Sequence, residues 1–241
     1  MKILALDTSG PVAAVALAEE TEDGAQRLIG GFRLQSGFTH SQTLMPMLDH
    51  MKELARVDLA EIDYIAVASG PGSFTGLRIG ASAAKGLAFA LEKQIVPVPT
   101  LDAMAYQMAG VSGLVCPMMD ARRSQVYTGV YGFAKDMETR LPACAIPVEE
   151  LVAELNRLGA EHTEDGKPPA VHLLGDGVPV YMKELQEGLQ IPYAVAPFHR
   201  DRQSAEAVCA LAFRWYVKER PWMRTRLRRS ISGAVRNRQC E

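Results

Sequence analysis

Two periods of apolar residues alternate along the chain. Residues 2–6 and 12–18 are short apolar runs, and the five residues between them, Asp7-Thr8-Ser9-Gly10-Pro11, are turn formers, so the pattern predicts a hairpin. A third strand is predicted over 27–34. From Thr39 to Arg56 the period lengthens: Leu44, Met47, Leu48, Met51, Leu54 and Ala55 recur at steps of three and four, which predicts a helix capped by Thr39 or Ser41 with Pro46 near its first turn. Tyr64 to Ala68 then reads as another strand.

The next segment, Ser69-Gly70-Pro71-Gly72-Ser73-Phe74-Thr75-Gly76-Leu77-Arg78-Ile79-Gly80, is a glycine-rich turn running straight into a helix predicted over 75–91. Ser73 can cap it. Arg78, Ser82 and Lys85 make one narrow polar stripe, and Gly76, Gly80, Ala84 and Ala88 repeat every fourth residue. Glycine costs a helix about 0.5–1 kcal/mol relative to alanine, so a row of minimal side chains points to another backbone in close contact. Two arrangements fit: a helix enclosed in its own core, or one shared between a sheet and a second protein. In the second arrangement, Gly80→Leu is expected to abolish pairing and leave the fold largely intact, with Arg78 at the interface rim.

A strand at 95–98 closes the first half, and the second half repeats its plan. A helix at 101–109 precedes a hairpin of 114–119 and 125–133, turned by Asp120-Ala121-Arg122-Arg123-Ser124. A helix at about 148–158, a strand at 171–174, a turn at Gly175-Asp176-Gly177 and a helix at 204–218 follow. Two rounds of the same plan predict an α/β protein of two lobes made by duplication, with the Asp7 and Asp120 turns in equivalent positions. The lobes are expected at 1–99 and 100–219.

Composition narrows the function. With 241 residues, 48% hydrophobic content and a net charge of −2, this is the profile of an ordinary soluble protein. No run reaches the roughly 20 apolar residues of a membrane helix, and the start of the chain shows neither a secretory nor a transit pattern, so a cytoplasmic protein without membrane contact is expected. Cys116, Cys144, Cys209 and Cys240 form no C-x-x-C pair and read as reduced structural thiols. His40, His50, His162, His172 and His199 show no i,i+4 pair, which argues against a zinc or iron site. The charge is uneven: residues 214–241 hold nine Lys and Arg against two Glu. Residues 220–241 are read as a solvated, disordered basic extension rather than an RNA-binding surface.

Catalytic motifs are sparse. The glycine-rich segment lacks the Lys-Ser/Thr of a P-loop and does not spell G-x-G-x-x-G. Ser73 and Thr75 have no identifiable general base, and capping accounts for both.

Taken together, Ile3-Leu4-Ala5-Leu6-Asp7-Thr8-Ser9, His40-Ser41-Gln42 leading to Leu44 and Pro46, the Ser69–Gly80 segment, Gly86-Leu87-Ala88 and Asp120-Ala121-Arg122 resemble the bacterial TsaB (YeaZ) family. The resemblance covers residues 1–133 well and 134–218 loosely. The end of the chain departs from it, since Pro221-Trp222-Met223-Arg224 only faintly matches the family's terminal Pro-x-Tyr-Leu-Arg.

The resemblance implies a duplicated actin/Hsp70-like fold, each lobe a mixed sheet with flanking helices. It also implies a part in making threonylcarbamoyladenosine, the modified base beside the tRNA anticodon. In that pathway a TsaB protein is a non-catalytic subunit that pairs with and activates the related TsaD, and a small ATPase, TsaE, joins them. The tRNA is met only through the complex, and isolated TsaB-like proteins dimerise through the surface meant for TsaD. On this basis the partner interface is expected at His40, Ser41, Leu44, Met45, Leu48, Gly76, Arg78, Gly80 and Ala84.

TsaD-like proteins carry a His-x-x-x-His metal pair where this chain has Pro99-Thr100-Leu101-Asp102-Ala103-Met104, so no metal ligand and no catalytic residue is assigned. Actin-like relatives use aspartate turns as phosphate clamps, which makes Asp7, Thr8 and Ser9 the candidate weak nucleotide or phosphate contact. Arg122 and Arg123 spoil the second clamp. Asp7 is therefore expected to act as a turn residue, with no cofactor in the isolated chain and ATP or ADP only in the complex. The alternative is a stand-alone ATP- or metal-dependent enzyme of the glycoprotease-like fold family.

Overall fold

The run Ile3–Leu6 is completely buried because helices cover both faces of the strand that carries it, so its sequence shows no alternation. A computed structural model describes residues 1–162 and 167–214. The described residues form two compact units, one of residues 1–103 with 203–214, the other of residues 104–162 with 167–202.

In the first unit, β1 (Lys2–Asp7), β2 (Ala13–Glu20) and β3 (Gln26–Leu34) form an antiparallel meander. Strands β4 (Tyr64–Ala68) and β5 (Gln94–Val98) add in parallel on the far side of β1, giving the order β3-β2-β1-β4-β5. Helix α1 (His40–Ala55) follows β3 and helix α2 (Phe74–Leu91) connects β4 to β5. Both lie over one face of the sheet. Leu44, Met47, Leu48 and Met51 of α1, with Ala84 and Ala88 of α2, pack on Leu4, Leu6, Val15 and Leu17. At the start of α1 the Gln42 side chain accepts from the Thr39 backbone N–H at 3.0 Å, so Thr39 is the cap. Pro46 lies one turn deeper than expected, on the exposed side of the helix.

In the second unit, β6 (Leu114–Arg122), β7 (Gln125–Phe133), β8 (Met137–Pro147), β9 (Val171–Leu174) and β10 (Tyr193–Val195) run in the order β8-β7-β6-β9-β10, which is the order of the first sheet. The duplication expected from the sequence is present. Helix α3 (Thr100–Tyr106) spans the division between units, α4 (Val148–Glu161) follows β8, and the short α5 (Gly177–Val180) and α6 (Met182–Gly188) lie between β9 and β10.

Three features differ from the sequence reading. Strand β8 is missing from it because only Cys144 and Ile146 of its eleven residues are buried and Pro142 interrupts it; a sheet edge, where β8 lies, tolerates both. Helices α5 and α6 and strand β10 are too short to carry a period. Helix α7 (Ala205–Leu211), assigned to the 100–219 lobe, packs instead on β1 and β2 of the first unit, where the Cys209 thiol lies 3.5 Å from the carbonyl oxygen of Ile3. The predicted end of that helix at 218 and the basic extension at 220–241 lie outside the described residues. Among the described residues no helix is long and apolar enough to cross a membrane.

Candidate functional site

The glycine row of α2 meets the turn after β1. A Cβ on Gly76 would lie 2.0 Å from the Thr8 carbonyl oxygen, and one on Gly80 would lie 2.5 Å from Thr8 Oγ1. The Thr8 hydroxyl donates to the Gly76 carbonyl oxygen at 2.7 Å, and the Ser73 N–H donates to the Ser9 carbonyl oxygen at 2.7 Å. Gly72, at φ +154°, brings its Cα so near that a Cβ would lie 2.3 Å from the Ser9 carbonyl oxygen. Ser73 caps the helix as predicted, accepting from the Gly76 N–H at 3.2 Å. The close backbone that the row requires is therefore the chain's own.

This corrects the expected interface. Gly76, Gly80 and Ala84 are buried against the unit's own sheet, and Leu44 and Leu48 belong to its core. His40 is half-buried, with Nε2 2.7 Å from the Gly10 carbonyl oxygen. Ser41, Met45 and Arg78 remain at the surface.

The opposite flank of α2 is open. Phe74, Arg78, Ser82, Lys85 and Phe89 follow at steps of three and four along it, all exposed, and Phe89 is 90% exposed. The Arg78 guanidinium lies 3.8 Å over the Phe74 ring, which offsets the absence of a carboxylate partner among the described residues. Alongside, α1 exposes Met45, 47% accessible, together with Asp49. Sequence reasoning found the polar stripe but passed over the aromatics at its two ends; the signal was their helical spacing from Arg78 and Lys85.

Asp7, Thr8 and Ser9 are all buried. Asp7 Oδ1 accepts from the Ser9 N–H at 2.9 Å and the Ser9 hydroxyl at 2.6 Å. Both hydroxyls of the candidate phosphate contact are thus engaged inside the fold. Asp7 Oδ2 is buried with no hydrogen-bond partner among the described residues. Burial pushes the carboxyl up to about 6, against the opposing pull of the Ser9 hydrogen bonds and of His40 and Arg33. In the second unit Asp120 stands at the equivalent strand end. Its Oδ1 accepts from the Arg122 N–H at 2.9 Å and the Tyr181 hydroxyl at 3.0 Å. The two aspartates make the same turn contact, to the N–H two residues on. Among the described residues no three His, Cys, Asp or Glu side chains are grouped to hold a metal ion.

The repeated sheet order defines a duplicated α/β protein, each unit a mixed sheet with flanking helices. The family model described as "TsaD: tRNA N6-adenosine threonylcarbamoyltransferase" matches residues 35–197, and the chain belongs to that family, within its TsaB (YeaZ) group. It is 37% identical over 133 residues to the tRNA threonylcarbamoyladenosine biosynthesis protein TsaB of Bacillus subtilis, covering 55% of this chain and 56% of that one. The TsaB of Escherichia coli is 35% identical over 133 residues, 54% of this chain and 55% of that one. The chain spans about half the length of the curated relatives it matches. Among solved structures, YeaZ from Pseudomonas aeruginosa superposes with a TM-score of 0.65 at 28% identity, covering 88% of this chain and 90% of that one. A second structure, described as an uncharacterized protein with similarity to peptidase YeaZ from Pseudomonas aeruginosa, gives a TM-score of 0.68 at 27% identity, covering 90% and 93%.

Proposed function

We propose that this chain is a non-catalytic subunit of the machinery that makes threonylcarbamoyladenosine in tRNA, and that it binds and activates a TsaD-like catalytic subunit through the outward flank of α2 with the adjoining surface of α1. The exposure of Phe89 carries the reading. A phenyl ring left almost wholly in water, at the end of a stripe whose other end is a second aromatic stacked under Arg78, is the composition of an interface rather than of a solvated helix face. Buried aromatic and arginine anchors dominate the energetics of such contacts.

The non-catalytic role is supported by how the reactive groups are used. Thr8 and Ser9 donate inward, His40 is tied to a backbone carbonyl, and both histidines of the TsaD-like pair are missing from the stretch Pro99–Met104. ATP or ADP then enters only at the level of the complex, a TsaE-like ATPase joins it, and tRNA is met through the partner in the cytoplasm. In isolation the same face pairs two copies of the chain.

Co-expression with a TsaD-like subunit, followed by sizing, tests the proposal. Phe89→Asp is expected to abolish the heterodimer and to leave stability within about 0.5 kcal/mol, as at an exposed site. An intact heterodimer in that variant, or robust turnover by this chain without the partner, overturns it.

A further inference from the structure

The four residues Asp7–Gly10 hold the starts of two helices and lie against the start of a third. His40, the first residue of α1, binds the Gly10 carbonyl oxygen through Nε2. Ser73 and Gly76, at the start of α2, are joined to Ser9 and Thr8. Gln203, just before the cap of α7, lies so close to Gly10 that a Cβ there would meet its Nε2 at 2.1 Å. At the base of this turn sits one fully buried carboxyl group, and among the described residues only one of its oxygens is hydrogen-bonded.

We propose that Asp7 is a proton-operated latch: with its carboxyl protonated the first turns of α1 and α2 stay closed on the Asp7–Gly10 turn, and ionisation loosens them. A buried carboxylate oxygen without a donor is costly, far more so than the neutral acid, and the cost falls if water or a backbone N–H reaches it. The starts of α1 and α2 are both bonded to the Asp7–Gly10 turn beside this carboxyl, and on the proposal a donor reaches Oδ2 when one of them is released.

The charged groups facing Asp7 are few. His40 on α1 and Arg33 on β3 both favour its ionised form. The first turn of α2, Ser73 to Gly76, carries no charge, and Arg78 faces outward onto Phe74. On α7, Glu206 is engaged with the Ser204 hydroxyl beside Gly31, and the Cys209 thiol lies against the Ile3 carbonyl oxygen of β1. Burial opposes the pull of both groups and prevails, so the change falls at about pH 6 rather than in the ordinary carboxylate range. Where the proposed pairing holds, the latch regulates it, because Phe74 lies in the turn that is released.

Amide hydrogen exchange on the isolated chain at about pH 5 and about pH 7.5, corrected for the intrinsic rate, tests the latch. Exchange over 40–44 and 73–77 is expected to be several-fold faster at the higher pH, with α4 unchanged as an internal reference. Asp7→Asn is expected to keep the slow pattern at both. Equal protection of the two segments in the unmodified chain, or a pH response that survives in Asp7→Asn, overturns the proposal. Should that variant fail to fold, carboxyl-carbon NMR titration of the unmodified chain decides instead. A midpoint matching the exchange change supports the latch, and titration in the ordinary carboxylate range overturns it. Neither readout involves a TsaD-like subunit, and repeating the exchange in Phe89→Asp removes any pairing of two copies through the same flank, so failure here leaves the pairing proposal standing and the reverse holds too.

Discussion

The Thr8 hydroxyl donates to the carbonyl oxygen of Gly76 at 2.7 Å, fastening the turn after β1 to the first turn of α2. The contact is possible only because α2 presents no side chain there. It also fixes what the glycine row does, since the same face that could have met a foreign backbone is occupied by Thr8.

Gly76→Ala and Gly80→Leu are therefore expected to act on the fold. The added atoms meet a backbone oxygen at 2.0 Å in the first case and the Thr8 side chain at 2.5 Å in the second. Overpacking of this kind costs about 1–3 kcal/mol or more. Urea denaturation should show both variants destabilised, Gly76→Ala despite the better helix propensity of alanine. A stable Gly80→Leu protein that merely fails to pair would restore the interface role expected from sequence.

Phe74 and Arg78 form a pair that can be dissected. Stacking of a guanidinium on an exposed ring is worth about 0.5–1 kcal/mol, and both residues project from the same flank of α2. Phe74→Ala and Arg78→Ala are expected to cost the isolated chain no more than about 1 kcal/mol each, with a coupling in the double mutant of similar size. Binding to a TsaD-like subunit should fall far more, measured by titration calorimetry, since both side chains would be buried there.

What was legible follows from where each element sits. The strands of the central sheet and the long helices over it announce themselves because burial imposes a period, as with Leu44, Met47, Leu48 and Met51. The spacing of Gly76 and Gly80 correctly reported a close backbone, but periodicity carries no information about whose backbone it is. Strand β8 was invisible since an edge strand facing water needs no alternation. For α7, sequence order placed the helix with the strands before it, whereas its docking on β1 depends on long-range contacts such as Cys209 with Ile3. The open flank of α2 was half visible: charge picked out Arg78 and Lys85, while the exposure of Phe74 and Phe89 needed coordinates.

Asp7 gives the fold a pH dependence whose sign can be worked out. Its carboxyl is pushed up from 3.8 to about 6 in the folded protein, so the native state holds the proton more tightly than the unfolded chain does. The stabilisation from protonation is fully present below about pH 4. It is lost progressively as pH rises through about 6, after which stability levels off. A shift of this size corresponds to about 3 kcal/mol between the two plateaus. Asp7→Asn keeps the acceptor for the Ser9 N–H and removes the ionisation. It is therefore expected to match the unmodified chain in denaturation midpoint near pH 4 and to exceed it at pH 7.5. A parallel decline in both proteins would place the responsible group elsewhere, and a less stable Asn variant at pH 7.5 would mean that the ionised carboxylate is already satisfied in the native state.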